Sequence, residues 1–266
     1  MMRNYRKTIG ALAAASALVA GYASADIEGD VHIGYSSDYI FRGADLGNGL
    51  AEAGVDLSTD YAGLNFSGGL WYGSIEKSDL FDGPGFAIPS HYSELDIYGA
   101  VSKDFGFVTA HLGYIWYIYQ DNDVVTPVGS FKLRDDAQEL YFGLSREIYW
   151  GINGALTYYM PVEGENGGYL ELGLDKTFKL HECVDLVAGV KAGYFVEAHD
   201  WAHVTPSLTL NIKVKDNVTI SPYVAYSFEG DDLATVSGNN KIQSALGIAP
   251  SESDHFYGGV KVSVKF

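Results

Sequence analysis

Residues 30–61 alternate apolar and polar side chains with a period of two, and that period constrains the fold more than any other feature of the chain. Val31, Ile33, Tyr35, Tyr39 and Phe41 take odd positions, while Asp30, His32, Ser36, Asp38 and Arg42 take even ones. After a glycine-bearing connection the parity returns, with Ala51, Ala53, Val55, Leu57 and Tyr61 odd and Glu52, Asp56, Ser58 and Asp60 even. Successive side chains of a strand point to opposite faces, so the pattern predicts a hairpin with one apolar and one acidic face. The apolar face would meet a second sheet in a sandwich, or lipid on the outside of a membrane barrel whose polar face turns inward.

The same alternation recurs to the end of the chain. It predicts strands at about 64–72, 94–102, 108–117, 138–145, 150–160, 169–175, 184–197, 207–214, 218–228 and 256–266, about twelve in all with the opening pair. Trp150, Ile152, Leu156, Tyr158 and Met160 form one outward set, and Val260, Val262, Val264 and Phe266 another. Connections alternate between tight turns and long polar loops, the latter at 73–90, 120–136 and 230–254, with a short helix expected near 241–246. Bacterial outer-membrane barrels have this even strand number and this alternation of periplasmic turns with external loops, whereas a sandwich needs neither. The expected fold is therefore all-β, a single antiparallel up-and-down transmembrane barrel with both termini on the periplasmic side.

Residues 1–25 read as a cleaved secretory signal peptide. Arg3, Arg6 and Lys7 precede an uncharged Ala-rich run that ends in Ala23-Ser24-Ala25, and no Cys follows that would carry a lipid anchor. The domain is then 26–266, and loss of the three basic residues takes the formal charge from −17 to −20. Such acidity disfavours nucleic acid as a partner. Mean hydropathy is near zero, as barrel strands of about 9–11 alternating residues permit. Twenty Tyr among 14% aromatics suit interfacial girdles.

Several segments together resemble the TorF-type porins, a proteobacterial outer-membrane family. They are Ser37-Asp38-Tyr39-Ile40-Phe41-Arg42-Gly43, Gly54-Val55-Asp56, Gly69-Leu70-Trp71-Tyr72-Gly73, Glu94-Leu95-Asp96-Ile97-Tyr98-Gly99 and Glu139-Leu140-Tyr141-Phe142-Gly143. The chain departs from the family at Ala44-Asp45, where Ser-Gln is usual, and at Glu52, where Gln is usual. The resemblance implies a channel-like role. A terminal Phe266 in phase with the lipid face also resembles the signal read by the outer-membrane assembly machinery, which is one expected partner, with lipid and lipopolysaccharide around the barrel.

On these face assignments the lumen-lining candidates are Asp38, Arg42, Glu52, Asp56, Glu94, Asp96, Glu139, Glu171 and Lys191. Rings of charge inside a pore select by sign, so an open lumen of this composition should pass small solutes or ions with a preference for cations. The alternatives are a structural or adhesive barrel with a plugged lumen, acting through its long loops, and a barrel hydrolase. Pairing Phe41 with Ala51 would put Arg42 diagonally from Glu52, and Asp38 diagonally from Glu52 and Asp56, a carboxylate clamp at the external mouth. No nucleophile, base and orienting group fall together, so the chain is not expected to be an enzyme and no cofactor is expected. His199 and His203 flank Asp200, but a spacing of four converges on a helix and not on a strand, so no metal is expected either. Cys183, placed in a turn with His181 and Glu182, is the single cysteine and forms no intramolecular disulfide.

Overall fold

Each two-residue period becomes a strand hydrogen-bonded on both sides. The computed structural model describes residues 26–77, 91–121, 123–126, 129–132, 135–162, 167–230 and 254–266. The strands are β1 (Ile27–Phe41), β2 (Ala44–Tyr61), β3 (Leu64–Lys77), β4 (Tyr92–Asp104), β5 (Thr109–Gln120), β6 (Asp123–Thr126), β7 (Gly129–Lys132), β8 (Ala137–Tyr149), β9 (Ile152–Pro161), β10 (Tyr169–His181), β11 (Val184–Phe195), β12 (Asp200–Lys215), β13 (Val218–Glu229) and β14 (His255–Lys265). Twelve of them close an antiparallel barrel in the order β1-β14-β13-β12-β11-β10-β9-β8-β5-β4-β3-β2. Closure removes every free edge, so each wall strand has a neighbour on both sides.

The seam is the β1–β14 ladder, running from Asp30↔Lys265 to Ser36↔Gly259. Gly29 and Phe266 extend it by exchanging two backbone hydrogen bonds of 2.9 Å. Three tight turns, Arg42-Gly43, Ala62-Gly63 and Trp150-Gly151, hold both of their residues at positive φ, between 54° and 90°. That backbone twist matches the twist of the paired strands, which is why two-residue hairpin turns favour it.

The structure corrects several boundaries. The 120–136 segment, expected as a loop, carries the β6–β7 hairpin as a separate two-stranded sheet. Gly73 lies in β3 and not in the following loop. Trp150 sits in the β8–β9 turn and not on a strand, because β8 continues through Tyr149. The signal peptide at 1–25, the short helix near 241–246 and most of the 73–90 and 230–254 loops lie outside the described residues. Among the described residues the connections at the end bearing the chain termini are all short, and the longer gaps fall at the opposite end.

The barrel is apolar outside. Ile33, Leu112 and Phe142 are 60%, 54% and 50% exposed, and Tyr72, Leu172, Leu208 and Val224 are similarly open. The buried apolar residues instead collect inside the barrel, at the end away from the termini. One cluster joins Tyr39, Leu46, Leu50, Ile75, Tyr92, Tyr117 and Tyr119, and a second joins Tyr169, Phe195 and Ala202. A soluble protein would bury the first face and wet the second, so this inversion calls for an apolar medium around the wall.

Placing a charge on that outer face should destabilise the barrel in lipid. Phe142→Arg, near the middle of β8, is expected to cost about 2–4 kcal/mol if it lies near the bilayer midplane. Urea unfolding of the protein folded into vesicles, followed by tryptophan emission, checks this. An unchanged midpoint would contradict the assignment.

Candidate functional site

The opening hairpin does not finish in the wall. β1 loses its regular register between Asp38 and Ile40, and a bulge of this kind bends a strand and re-aims its side chains. Beyond it Tyr39 and Phe41, expected on the lipid face, turn inward. Tyr39 is buried, donates its hydroxyl to Glu94 at 2.9 Å, and packs its ring 5.8 Å from Trp71. Phe41 meets Tyr117 edge-on at 5.9 Å. On the return strand Gly47 and Gly49 have φ of 142° and 67°, and Leu46 and Leu50 are buried against the same rings. The tip of the hairpin thus folds into the barrel.

The register follows from this bend. Phe41 pairs with Ala44, not Ala51, and Ala51 pairs with Tyr35. The expected clamp of Arg42 by the carboxylates Glu52, Asp38 and Asp56 is therefore incorrect. Asp38 pairs with Asn48 and accepts a 2.6 Å hydrogen bond from Ser37, while Glu52 lies opposite Gly34.

Arg42 instead crosses the lumen to β8. Its Nη1 and Nη2 donate to the two carboxylate oxygens of Glu139 at 2.8 and 2.7 Å. The guanidinium carbon sits 4.3 Å from the Tyr169 ring centroid, 4.7 Å from Tyr159 and 4.9 Å from Phe41. Tyr117 adds a third hydrogen bond to Glu139 at 3.0 Å. Both charged side chains are largely buried, 16% and 11% exposed. A planar fork fits a carboxylate through two parallel bonds and stacks on aromatic faces, which an ammonium cannot do.

Gly43 seats the tip against the far wall. A Cβ there would stand 2.6 Å from His203 Cβ, and the φ of 90° suits glycine. His203 is held by Tyr169 at 2.9 Å and Thr205 at 2.8 Å, and Thr205 by Ser227 at 3.0 Å. β8, β9, β10 and β12 thus all meet a turn that belongs to β1 and β2.

The remaining candidates share the inner face without forming one cluster. Glu52 accepts from Trp71 Nε1 at 2.8 Å. Asp56 accepts from Tyr98, whose side chain passes over Gly69 to reach it. Glu171 pairs with Lys191 at 3.1 Å, and Asp96 Oδ1 is buried with no hydrogen-bond partner. A cavity of about 630 Å³ lies against the tip, with Trp71, Asp96, Tyr98, Tyr117, Tyr223 and Tyr257 among its walls. Among the described residues no group of three His, Cys, Asp or Glu is placed to hold a metal. His199 lies in the turn before β12 with φ of 58°, while His203 is buried inside the barrel.

A family model described as "Bacterial protein of unknown function (Gcw_chp)" matches residues 22–223. The chain belongs to the Gcw_chp family. That match spans the inward hairpin, Glu139, Tyr159, Tyr169 and His203. No curated protein matches this Gcw_chp sequence. Among solved structures, an outer-membrane channel from Pseudomonas putida F1 is similar at 9% identity and a TM-score of 0.50, over 91% of this chain and 95% of that one. The KdgM porin is similar at 10% identity and a TM-score of 0.48, over 90% and 99%. The first of these likenesses agrees with the barrel fold of the Gcw_chp chain.

Removing either partner of a buried pair strands the other charge, at a cost of about 3–5 kcal/mol. Arg42→Ala and Glu139→Ala should each lower the unfolding midpoint, while the double variant loses much less than their sum. A double-mutant cycle by urea unfolding in detergent checks this, and additive losses would contradict the contact.

Proposed function

We propose that this Gcw_chp protein is an outer-membrane channel for passive diffusion of small solutes or ions, with a preference for cations. The observation that carries the reading is the inversion of the two faces, a continuous apolar exterior around a closed barrel whose interior is charged and holds a cavity. Fold likeness to an outer-membrane channel supports it, as does the resemblance to the TorF-type porins. On this reading the termini and short turns face the periplasm, and the outer wall meets lipid and lipopolysaccharide. Phe266, 68% exposed beside Gly29 on that wall, is the residue offered to the assembly machinery.

The way the inner charges are spent supports a cation preference. Arg42, Lys191 and Lys213 each lie within 4.0 Å of a carboxylate, namely Glu139, Glu171 and Asp185. Glu52 and Asp56 are instead hydrogen bonded by aromatic donors, Trp71 and Tyr98, with His32 Nδ1 3.7 Å from Asp56. Paired cations contribute little net field, and on this reading the acids of the inner face outnumber the remaining Lys261 and Lys265 and set the sign seen by a passing ion. The inward hairpin favours a second reading, a structural barrel whose lumen is plugged.

Planar-bilayer recording of the refolded protein under a KCl gradient separates the two. Discrete steps with a cation-selective reversal potential are expected, moving toward neutral selectivity in Glu52→Gln/Asp56→Asn. Silence at all voltages from an intact barrel would favour the plugged reading, and anion selectivity would overturn the proposed sign.

A further inference from the structure

The surroundings of Arg42 have the chemistry of a receptor. Glu139 supplies both oxygens to the guanidinium plane, Tyr117 fixes that carboxylate from the side, and the rings of Tyr159 and Tyr169 flank the fork. These four groups come from β5, β8, β9 and β10. The guanidinium they enclose comes from the β1–β2 turn, so the site and its occupant belong to different parts of the wall.

The occupant is tied in by side chains. The β1–β14 ladder ends at Ser36↔Gly259, and the β2–β3 ladder ends at Asn48↔Lys77. Between them, residues 39–47 pair only with each other in the barrel ladders. Their ties to the rest of the barrel include the Arg42 fork, ring packing, the Tyr39 and Tyr92 hydroxyls, the contact of Asp45 with His255 of β14 at 3.7 Å, and the seating of Gly43 on His203. The bulge at Asp38/Ile40 and the positive φ at Gly47 and Gly49 mark where this unit leaves the wall. Withdrawing the tip therefore breaks no backbone ladder between barrel strands.

We propose that the Glu139–Tyr117–Tyr159–Tyr169 pocket is a guanidinium-binding site that Arg42 occupies in cis, holding the first hairpin across the lumen. A free solute bearing a guanidinium group competes with Arg42 for this pocket. The inference rests on the channel reading for its effect on conduction, whereas the pocket itself is testable without conduction.

Agmatine, a guanidinium with a flexible amine tail, is the probe, and putrescine, which lacks the guanidinium, is the control. In Arg42→Ala the pocket is vacated: single-channel conductance should rise above wild type, and agmatine should bring it back down far more effectively than putrescine. Arg42→Ala/Glu139→Gln should conduct like Arg42→Ala without responding to agmatine. Calorimetric titration of refolded Arg42→Ala in detergent should give agmatine binding that the double variant lacks. Should Arg42→Ala not fold, Ala44→Cys/Ala202→Cys in a Cys183→Ser background keeps Arg42 and ties the tip to β12. Oxidised, it should conduct less than its reduced form, and reductant should restore the difference. Conducting channels of equal conductance in wild type and Arg42→Ala would overturn the inference and leave the channel reading standing. Silence of every variant with agmatine binding retained would overturn the channel reading alone. Absence of agmatine binding to folded Arg42→Ala would overturn the pocket.

Discussion

The two parallel hydrogen bonds between Arg42 and Glu139 decide the shape of the barrel's interior. A guanidinium taken from water needs a partner that satisfies its charge and its donors together, and a carboxylate facing it squarely does both. Here the partner lies on the opposite side of the ring of strands, so the turn that carries Arg42 must cross the lumen to meet it. Everything else at that end accommodates the crossing. The strand bulges, two glycines adopt positive φ, and Leu46, Leu50, Tyr39 and Tyr92 pack where a wide pore would hold water. A buried ion pair is weak evidence for stability but good evidence for geometry, because few other arrangements leave both charges satisfied.

The two surfaces of the barrel obey different solvents. Outside, apolar side chains at alternate positions stay open, which only an apolar medium tolerates over so wide a belt. Inside, acids, tyrosines and a few paired cations form a hydrogen-bonded lining that narrows without becoming an oily core. The cavity beside the tip is walled by aromatic rings together with Asp96, whose Oδ1 has no hydrogen-bond partner. The hairpin tip, through Phe41, Arg42 and Gly43, covers part of that lining.

Much of this was legible in residue parity. Strand number, the outward set from Val31 to Phe266 and the inner placement of Glu52, Asp56, Glu94, Asp96 and Glu139 all follow a period of two, which sheets enforce physically. The hairpin tip was not legible, because the bulge takes the chain out of the wall, so that residues of both parities beyond it, Phe41 and Arg42 alike, lie inside the barrel. Tyr39 and Phe41 therefore read as lipid-facing. A signal was present nonetheless: Leu46 and Leu50 fall on the parity of the acidic face, where apolar side chains make sense only with something to pack against inside. The partner of Arg42 lay beyond reach in another way, since Glu139 is 97 residues away and no local spacing relates the two.

The β1–β2 turn lies inside the barrel and not above it. Solution NMR of the isotopically labelled protein in lipid nanodiscs reads this directly through nuclear Overhauser effects. Cross-peaks between the Gly43 α-protons and the His203 β-protons are predicted, together with contacts from the Ala44 methyl to the rings of Tyr169 or Phe195. A turn whose protons show exchange with bulk water and contacts only within residues 38–50 would contradict it.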